Sequence, residues 1–335
     1  MQLLSDIVYL CKLVGSQFEM SQAGGGNISI KHEDKIFIKA SGLTLSEVEE
    51  NYGISVVSTE MGKTFCSKLN QIDESTYGQE LEALAPPEYL RPSMETPLHL
   101  LLKKKYVIHC HPIAALALCS SSTGQSEIKK NLADATWVPY FSPGLKLARY
   151  FSKSIDLDKH IYFMQNHGLI IAHDSKEEAL TLLKETVEKC IKLCGVDEND
   201  DTFNIQFFIN NQLSISTSLL RSNDQTIKDN DLRHFKPICP DDVVYLGKNL
   251  LHIEKDYKKE LKEYLDLNGR LPKVFRFKND TFIIAASIKK CRLIEEQFRA
   301  NILARAYKNC DSSLDETEIS FLIDWEAEKY RAKGK

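Results

Sequence analysis

Apolar side chains recur at helical or strand spacing along most of the chain, and the pattern is clearest near its start. In residues 2–14 the apolar positions repeat every three to four residues, which predicts an amphipathic helix. Residues 27–31 and 35–39 instead alternate apolar and polar side chains, as strands with one buried face do. A short polar connection, residues 32–35, joins these two stretches, so the pattern predicts a β-hairpin.

The same two periodicities predict the remaining elements. Helical spacing is found at residues 98–102, 145–150, 174–193, 288–307 and 316–330. Runs rich in β-branched and aromatic side chains predict strands at residues 56–58, 64–66, 106–111, 161–171, 243–245, 274–277 and 281–284. Residues 46–90 are otherwise polar, and we expect a mobile loop at residues 82–87. Helices and strands are mixed throughout, which predicts an α/β protein.

A polar, acidic stretch at residues 196–202 divides this pattern into two parts. We expect a catalytic domain over residues 1–200 and a smaller C-terminal α/β extension over residues 201–335. The second part contains no catalytic motif of its own. It is therefore predicted to shape the substrate pocket or to form a subunit contact.

Composition excludes several classes of protein. The chain of 335 residues is 43% hydrophobic and 27% charged, as globular proteins are. Its formal net charge is −4 and it has no concentrated basic face, which argues against a nucleic-acid partner. No apolar run reaches membrane-spanning length, and the N-terminus lacks the features of a signal peptide. Nine cysteines without paired spacing favour reduced thiols, so we predict a cytoplasmic protein.

The candidate chemistry centres on residues 106–118, where two histidines stand one residue apart. If this stretch is a strand, His109 and His111 project from the same face and can bind one metal ion. A lone His-x-His pair is often incidental, but His167 follows in a second strand-like run and Glu95 precedes a helical stretch. Three neutral histidines suit Zn²⁺, with Mn²⁺ or Co²⁺ as substitutes, and with Glu95 or water in the open position.

Three features near this stretch also have simpler interpretations. Glu95 directly precedes a predicted helix, where an acidic side chain is stabilised by the helix dipole. His99 lies within that helix, and we expect it to pack on or cap the helix rather than to bind the metal. The glycines at residues 24–26 predict a flexible turn when taken alone, although their backbone N–H groups can also hold an anion.

Taken together, five short motifs resemble those of the class II aldolase/adducin family. In chain order they are Gly25-Gly26-Asn27-Ile28-Ser29, Ser41-Gly42, Pro92-Ser93-x-Glu95, His109-x-His111 and Asn166-His167-Gly168. The resemblance covers residues 1–200. Within it, Lys39-Ala40-Ser41-Gly42 is similar to the aldolase part of bifunctional rhamnulose-phosphate aldolase/alcohol dehydrogenases.

The resemblance implies a three-layer α/β/α core around a central, mainly antiparallel sheet. It also implies a lyase that cleaves a phosphorylated ketose by retro-aldol chemistry through a metal-stabilised enediolate. The matched metal ligands are His109, His111, His167 and Glu95, and Glu95 is also the matched catalytic proton carrier. The matched substrate- and phosphate-binding positions are Asn27, Ser41, Gly42 and Ser93. Family members commonly form fourfold ring tetramers, so a homotetramer is implied.

Two departures from the family pattern keep other reactions open. Met94 stands where the family usually has a second serine before the glutamate. No tyrosine lies between His111 and Trp137, where fuculose-phosphate aldolases have a catalytic one, so Tyr140, a neighbouring subunit or water would supply that acid. A sugar-phosphate epimerase, dehydratase or decarboxylase of the same family is therefore an alternative. A non-enzymatic, adducin-like scaffold is a third, less favoured one, because the ligand positions are intact.

Overall fold

The chain forms two compact units, which cover residues 1–199 and 200–335. The computed structural model describes residues 2–195, 201–230, 233, 235–307 and 313–324. Most of the predicted acidic boundary, and the predicted helix beyond residue 324, lie outside these described residues. Within them, the structure contains no helix with both the length and the apolar character that crossing a membrane requires.

A seven-stranded sheet forms the centre of the first unit. Its strands are β1 (Asn27–His32), β2 (Lys35–Lys39), β3 (Ile54–Ser58), β4 (Tyr106–Cys110), β5 (Ala135–Val138), β6 (Ile161–Met164) and β7 (Gly168–His173). They lie side by side in the order β3-β2-β1-β4-β7-β6-β5, and only β5 and β6 form a parallel pair. The middle position therefore belongs to β4, between β1 and β7.

Helices lie against both faces of this sheet. They are α1 (Gln2–Gly15), α2 (Thr59–Ser67), α3 (Tyr77–Glu82), α4 (Thr96–Leu101), α5 (Ile113–Cys119), α6 (Gly124–Asn131), α7 (Leu145–Ser154) and α8 (Lys176–Leu193). Val107 and Ile170 share one buried apolar cluster with side chains of α2, α4 and α7. The alternate residues Ile108 and Ile171 are buried outside that cluster, where α5 and α8 contact the strands. This arrangement confirms the predicted α/β fold with a mainly antiparallel central sheet.

The second unit contains a four-stranded sheet in the order β8-β11-β10-β9. Its strands are β8 (Ser218–Arg221), β9 (Leu251–Ile253), β10 (Val274–Phe277) and β11 (Asp280–Ala285). Its helices are α9 (Thr202–Phe207), α10 (Gln225–Lys228), α11 (Pro240–Tyr245), α12 (Tyr257–Asn268), α13 (Ile288–Tyr307) and α14 (Glu316–Asp324). Successive strand residues enter two different apolar clusters, Phe275 and Phe282 in one and Val274 and Ile283 in the other. Both faces of this sheet are therefore covered.

Three predicted strands were wrong. Residues 64–66 form the end of α2, where Phe65 is buried at helical spacing rather than on a strand. Residues 243–245 belong to α11, because Pro240 begins that helix and the Asp242 carboxylate accepts N–H bonds from residues just before it. The run 161–171 is not one strand but the antiparallel pair β6 and β7, joined by a tight turn. That turn carries one of the predicted site histidines.

Candidate metal centre

The central strand β4 positions the first two site histidines. His109 lies directly opposite Asn27 of β1 and Ile170 of β7 in the sheet register. His111 follows the end of the strand, so the two imidazoles project to the same side. The N–H of His111 donates to the Met20 carbonyl at 3.1 Å, which fixes the backbone beyond the strand.

The turn between β6 and β7 positions the third histidine. Asn166 adopts a left-handed φ of 52°, which asparagine tolerates better than most residues, and His167 follows it. Gly168 is required next, because a Cβ at this residue would lie 2.7 Å from both the Cys110 carbonyl oxygen and His111 Cδ2. The sequence Asn-His-Gly thus lets the turn pack directly against β4.

The three histidines meet in one cluster of His109, His111 and His167. Their potential ligand nitrogens all lie within 4.8 Å of one another, and the Nε2 atoms of His109 and His111 are 3.1 Å apart. Nitrogens that bind one tetrahedral Zn²⁺ at about 2.0–2.1 Å stand about 3.3 Å apart. The cluster therefore has dimensions that could hold a divalent metal ion.

The Glu95 carboxylate closes one side of this cluster. Its Oε2 lies 3.2 Å from His109 Nε2, and its Oε1 lies 3.1 Å from His167 Nε2. Asn27 Nδ2 donates a hydrogen bond of 2.8 Å to Oε2, whereas the buried Oε1 faces His167 Nε2. Glu95 occupies the N-cap position of α4, yet its side chain makes no capping hydrogen bond. The structure therefore directs this carboxylate to the histidines and not to the helix end.

The electrostatics of the cluster favour a cation between these groups. His109 Nδ1 lies 3.0 Å from the Leu169 carbonyl, which can only accept, so the neutral ring carries its proton there and a lone pair on Nε2. Burial lowers the pKa of His109, and it lowers that of His111 to about 3, so burial favours the neutral form of both rings. Burial alone would raise the pKa of Glu95, but the nearby His109, the adjacent His167 and the hydrogen bond from the Asn27 amide hold it below its ordinary value. Lone pairs and a carboxylate thus converge, and a metal ion would relieve their repulsion.

Two glycines form a cradle around the histidines. A Cβ on Gly25 would lie 2.6 Å from His111 Nδ1, and one on Gly26 would lie 2.8 Å from the His109 carbonyl oxygen. Gly26 also has a φ of 75°, a conformation that side-chain-bearing residues rarely adopt. These glycines therefore have a packing role at the cluster that neither the turn nor the anion-binding interpretation included.

The predicted phosphate-binding residues lie on neighbouring segments. The Ser41 N–H donates to the Arg91 carbonyl at 2.9 Å, which joins the Ser41-Gly42 segment to the one that carries Ser93. Gly42 is exposed with a φ of 81°, and a Cβ on it would meet no atom within 4 Å. The buried Ser93 hydroxyl accepts the Glu95 N–H at 3.3 Å. Ser93 is thus connected to the metal centre, and Gly42 borders open space.

Asn27 makes contacts that differ from a simple phosphate-binding role. Its amide nitrogen donates to Glu95, and its Oδ1 is a hydrogen-bond partner of His99 Nε2. His99 is completely buried and is not a member of the three-histidine cluster. Its Nδ1 lies 2.7 Å from Ser29 Oγ. Sequence reasoning did not predict that Ser29 and His99 are hydrogen-bonded to each other and, through His99, to Asn27.

A sequence model of the Class II Aldolase and Adducin N-terminal domain matches residues 5–194. This match covers more than half of the chain. The chain belongs to the class II aldolase/adducin family. Membership confirms the family that the five sequence motifs indicated, and it associates the histidine cluster with a family of metal-dependent aldolases and their relatives.

This class II aldolase/adducin chain is similar to one curated protein, the uncharacterized oxidoreductase YuxG of Bacillus subtilis. The two are 26% identical over 186 residues, which is 52% of this chain but only 27% of the relative's length. Among solved structures, it resembles the N-terminal class II aldolase domain of a conserved protein from Thermoplasma acidophilum. That domain shares 24% identity at a TM-score of 0.53, over 57% of this chain and 93% of the domain. The likeness supports the fold.

Proposed function

We propose that the first unit is a metal-dependent carbon–carbon lyase that cleaves a phosphorylated ketose by retro-aldol chemistry. One observation carries this proposal: the buried Glu95 carboxylate lies 3.1–3.2 Å from Nε2 atoms of two clustered histidines. An anion beside three clustered imidazoles provides both a metal site and a group that can move protons. Family membership supports the class of reaction.

The histidines supply the ligand set for the metal. Zn²⁺ suits three imidazole nitrogens, and Mn²⁺ or Co²⁺ can replace it. A divalent ion bound there would act as a Lewis acid and stabilise the negative charge that develops beside the substrate carbonyl. His109 is oriented for this task by its bond to the Leu169 carbonyl, which leaves Nε2 free to bind.

Glu95 is the proposed proton carrier. It is ionised and buried, and Asn27 holds one of its oxygens, Oε2, with a hydrogen bond. The other oxygen, Oε1, faces the histidine cluster 3.1 Å from His167 Nε2, so it is the oxygen proposed to accept a proton from the substrate and return it. A positioned acid–base group of this kind accelerates a reaction by about 10²–10⁴-fold.

The substrate phosphate is proposed to bind near Ser41, Gly42 and Ser93, with hydroxyl and backbone N–H donors rather than with arginine. The second unit is proposed to shape the pocket or to form a subunit contact. We also expect a homotetramer, as the family resemblance implies, and a cytoplasmic location, as the cysteines without paired spacing indicate.

A sugar-phosphate epimerase is the second candidate. It would use the same histidines and carboxylate, but it would rejoin the two fragments after the aldehyde has rotated, so that the new bond forms on the other face of the aldehyde. One observation favours it: no tyrosine lies between His111 and Trp137. Met94, which is 45% exposed where a phosphate-binding serine is expected, instead makes a non-phosphorylated substrate the alternative for either reaction. Both observations concern residues in which this chain departs from aldolases.

Metal content and product analysis together test the proposal. The purified full chain would be analysed for Zn²⁺, Mn²⁺ and Co²⁺ and then incubated with a panel of ketose 1-phosphates and pentulose 5-phosphates. Release of dihydroxyacetone phosphate and an aldehyde supports the lyase, and interconversion of pentulose phosphates supports the epimerase. His32→Ala, a change at a half-exposed histidine of β1, is the matched control for alanine substitutions at His111 and His167. Turnover by metal-free protein would contradict both mechanisms.

A further inference from the structure

Four buried polar side chains form a continuous hydrogen-bonded chain behind the metal centre. They are Ser29, His99, Asn27 and Glu95, and each is less than 8% exposed. Ser29 Oγ contacts His99 Nδ1 at 2.7 Å, His99 Nε2 contacts Asn27 Oδ1, and Asn27 Nδ2 contacts Glu95 Oε2 at 2.8 Å. The series of hydrogen bonds thus begins at Ser29, in the core of the sheet, and ends at the Glu95 carboxylate beside the three histidines.

The spacing of the four residues explains why they meet. Asn27 and Ser29 are two apart on β1 and therefore lie on one face of the strand, about 6.8 Å along it. Glu95 and His99 are four apart at the start of α4 and therefore lie on one face of the helix, about 6 Å along its axis. The distance between Asn27 and Ser29 along β1 thus matches the distance between Glu95 and His99 along α4. A helix that lies over this strand can therefore place Glu95 beside Asn27 and His99 beside Ser29 at the same time.

The ionisation state of Glu95 fixes the donor and the acceptor of every hydrogen bond in this network of four side chains. The ionised Glu95 carboxylate can only accept, so the Asn27 NH₂ group must face it and Oδ1 must face His99. His99 Nε2 then carries the proton, and Nδ1 accepts from the Ser29 hydroxyl. Burial lowers the pKa of His99 to about 3, so the ring is neutral. The hydrogen-bonded side chains therefore orient the Glu95 anion without neutralising its charge.

Stability alone does not account for this arrangement. Apolar side chains of similar shape can replace a buried pair of hydrogen-bonded groups at little or no cost. A fully satisfied polar network instead specifies one geometry for its members. In this structure Glu95 is the member that faces the histidine cluster, with its Oε1 3.1 Å from His167 Nε2.

We propose that Ser29 and His99 are positioning residues that act through Asn27 to hold the Glu95 carboxylate at the metal centre. The role rests on the function proposed above for Glu95. It assigns Asn27 chiefly to the carboxylate and makes His99 part of the site although it touches neither metal nor substrate. Outer partners of this kind typically change metal affinity or activity by about 10–100-fold when they are removed.

A double-mutant cycle on the full-length chain tests the proposal. The affinity for Co²⁺ would be measured by chelator competition and visible absorption for the parent, His99→Leu, Glu95→Gln and the double variant. We expect His99→Leu to weaken Co²⁺ binding by about 10–100-fold in the parent and to cause no further loss in the Glu95→Gln background. His99→Gln keeps an N–H donor for Asn27 and should restore most of the affinity. Circular dichroism and thermal unfolding of each variant verify the fold.

Two results would overturn the proposal. The first is an equal loss of Co²⁺ affinity from His99→Leu in both backgrounds, which would make His99 an ordinary core residue. The second is no loss from either single substitution. If His99→Leu does not fold, Ser29→Ala in the same two backgrounds replaces it. The double-mutant cycle measures Co²⁺ affinity and does not depend on turnover. An absence of lyase activity would therefore refute the proposed function, but the result of the cycle could still be interpreted.

Discussion

A decrease in pH should destabilise the chain through His99, and the size of the effect follows from its burial. The ring is completely buried, which lowers its pKa from the ordinary value of 6.5 to about 3. Below pH 6.5 the unfolded chain therefore binds a proton that the folded chain does not, so stability is lost as the pH falls. Each pH unit in this window costs about 1.4 kcal/mol, so His99 alone removes about 2 kcal/mol by about pH 5.

His99→Gln isolates this contribution, because it removes the titrating ring and keeps an N–H donor. Urea unfolding with a chelator present would be followed by fluorescence of Trp137, which lies on β5 of the same sheet, in a Trp325→Phe background. The parent should lose about 2 kcal/mol more stability than His99→Gln between about pH 6.5 and pH 5. His32→Gln controls for the loss of a more exposed histidine. Parallel pH curves for the parent and His99→Gln would refute a buried, neutral His99.

Three further predictions concern the metal and the substrate. Changing both His111 and His167 to alanine should abolish binding of about one divalent ion per chain, and elemental analysis that still finds the ion would place the site elsewhere. Gly25→Ala puts a Cβ 2.6 Å from His111 Nδ1 and should weaken Co²⁺ binding, whereas the control Gly24→Ala, with its nearest atom at 3.9 Å, should not. Equal affinities would show that the Gly25 contact relaxes freely. Ser41→Ala should raise KM for a phosphorylated substrate, equivalent to about 1–3 kcal/mol, and an unchanged KM would exclude Ser41 from anion binding.

The sequence predicted well the elements whose apolar positions repeat over many residues. The helix at residues 288–307 and the β1–β2 hairpin were confirmed, because each has a long or strictly alternating pattern. Short apolar runs were less reliable. Residues 64–66 and 243–245 carry no usable period, and local helix-start residues such as Pro240 decide their conformation.

The cluster of His109, His111 and His167 was predicted through motifs, and the structure adds the register that motifs do not contain. Strand alternation indicated that His109 and His111 share a face, but only sheet order shows that Asn27 lies opposite His109. The Asn166-His167-Gly168 segment was assigned to a strand, although asparagine followed closely by glycine is a turn signal. That signal could have predicted the β6–β7 turn.

The contact between His99 and Asn27 could not be predicted from the sequence. Its helical position predicted a packing or capping role, and its burial agrees with packing. Its contact with Asn27 depends on α4 lying over β1, a tertiary relation between residues 72 positions apart. No local pattern encodes that relation, so the hydrogen-bonded chain to Glu95 became visible only in three dimensions.

The most direct test of the account is hydrogen exchange at the reacting carbon. The metal-loaded parent and Glu95→Gln would be incubated with dihydroxyacetone phosphate in deuterated water, and loss of the α-hydrogen would be followed by NMR. Glutamine keeps the shape of the side chain but cannot carry a proton. We predict that Glu95→Gln keeps its fold and, at a metal concentration that saturates both proteins, its metal, while exchange slows by about 10²–10⁴-fold. Exchange at the parent rate in this variant would contradict the assignment of Glu95 as the proton carrier.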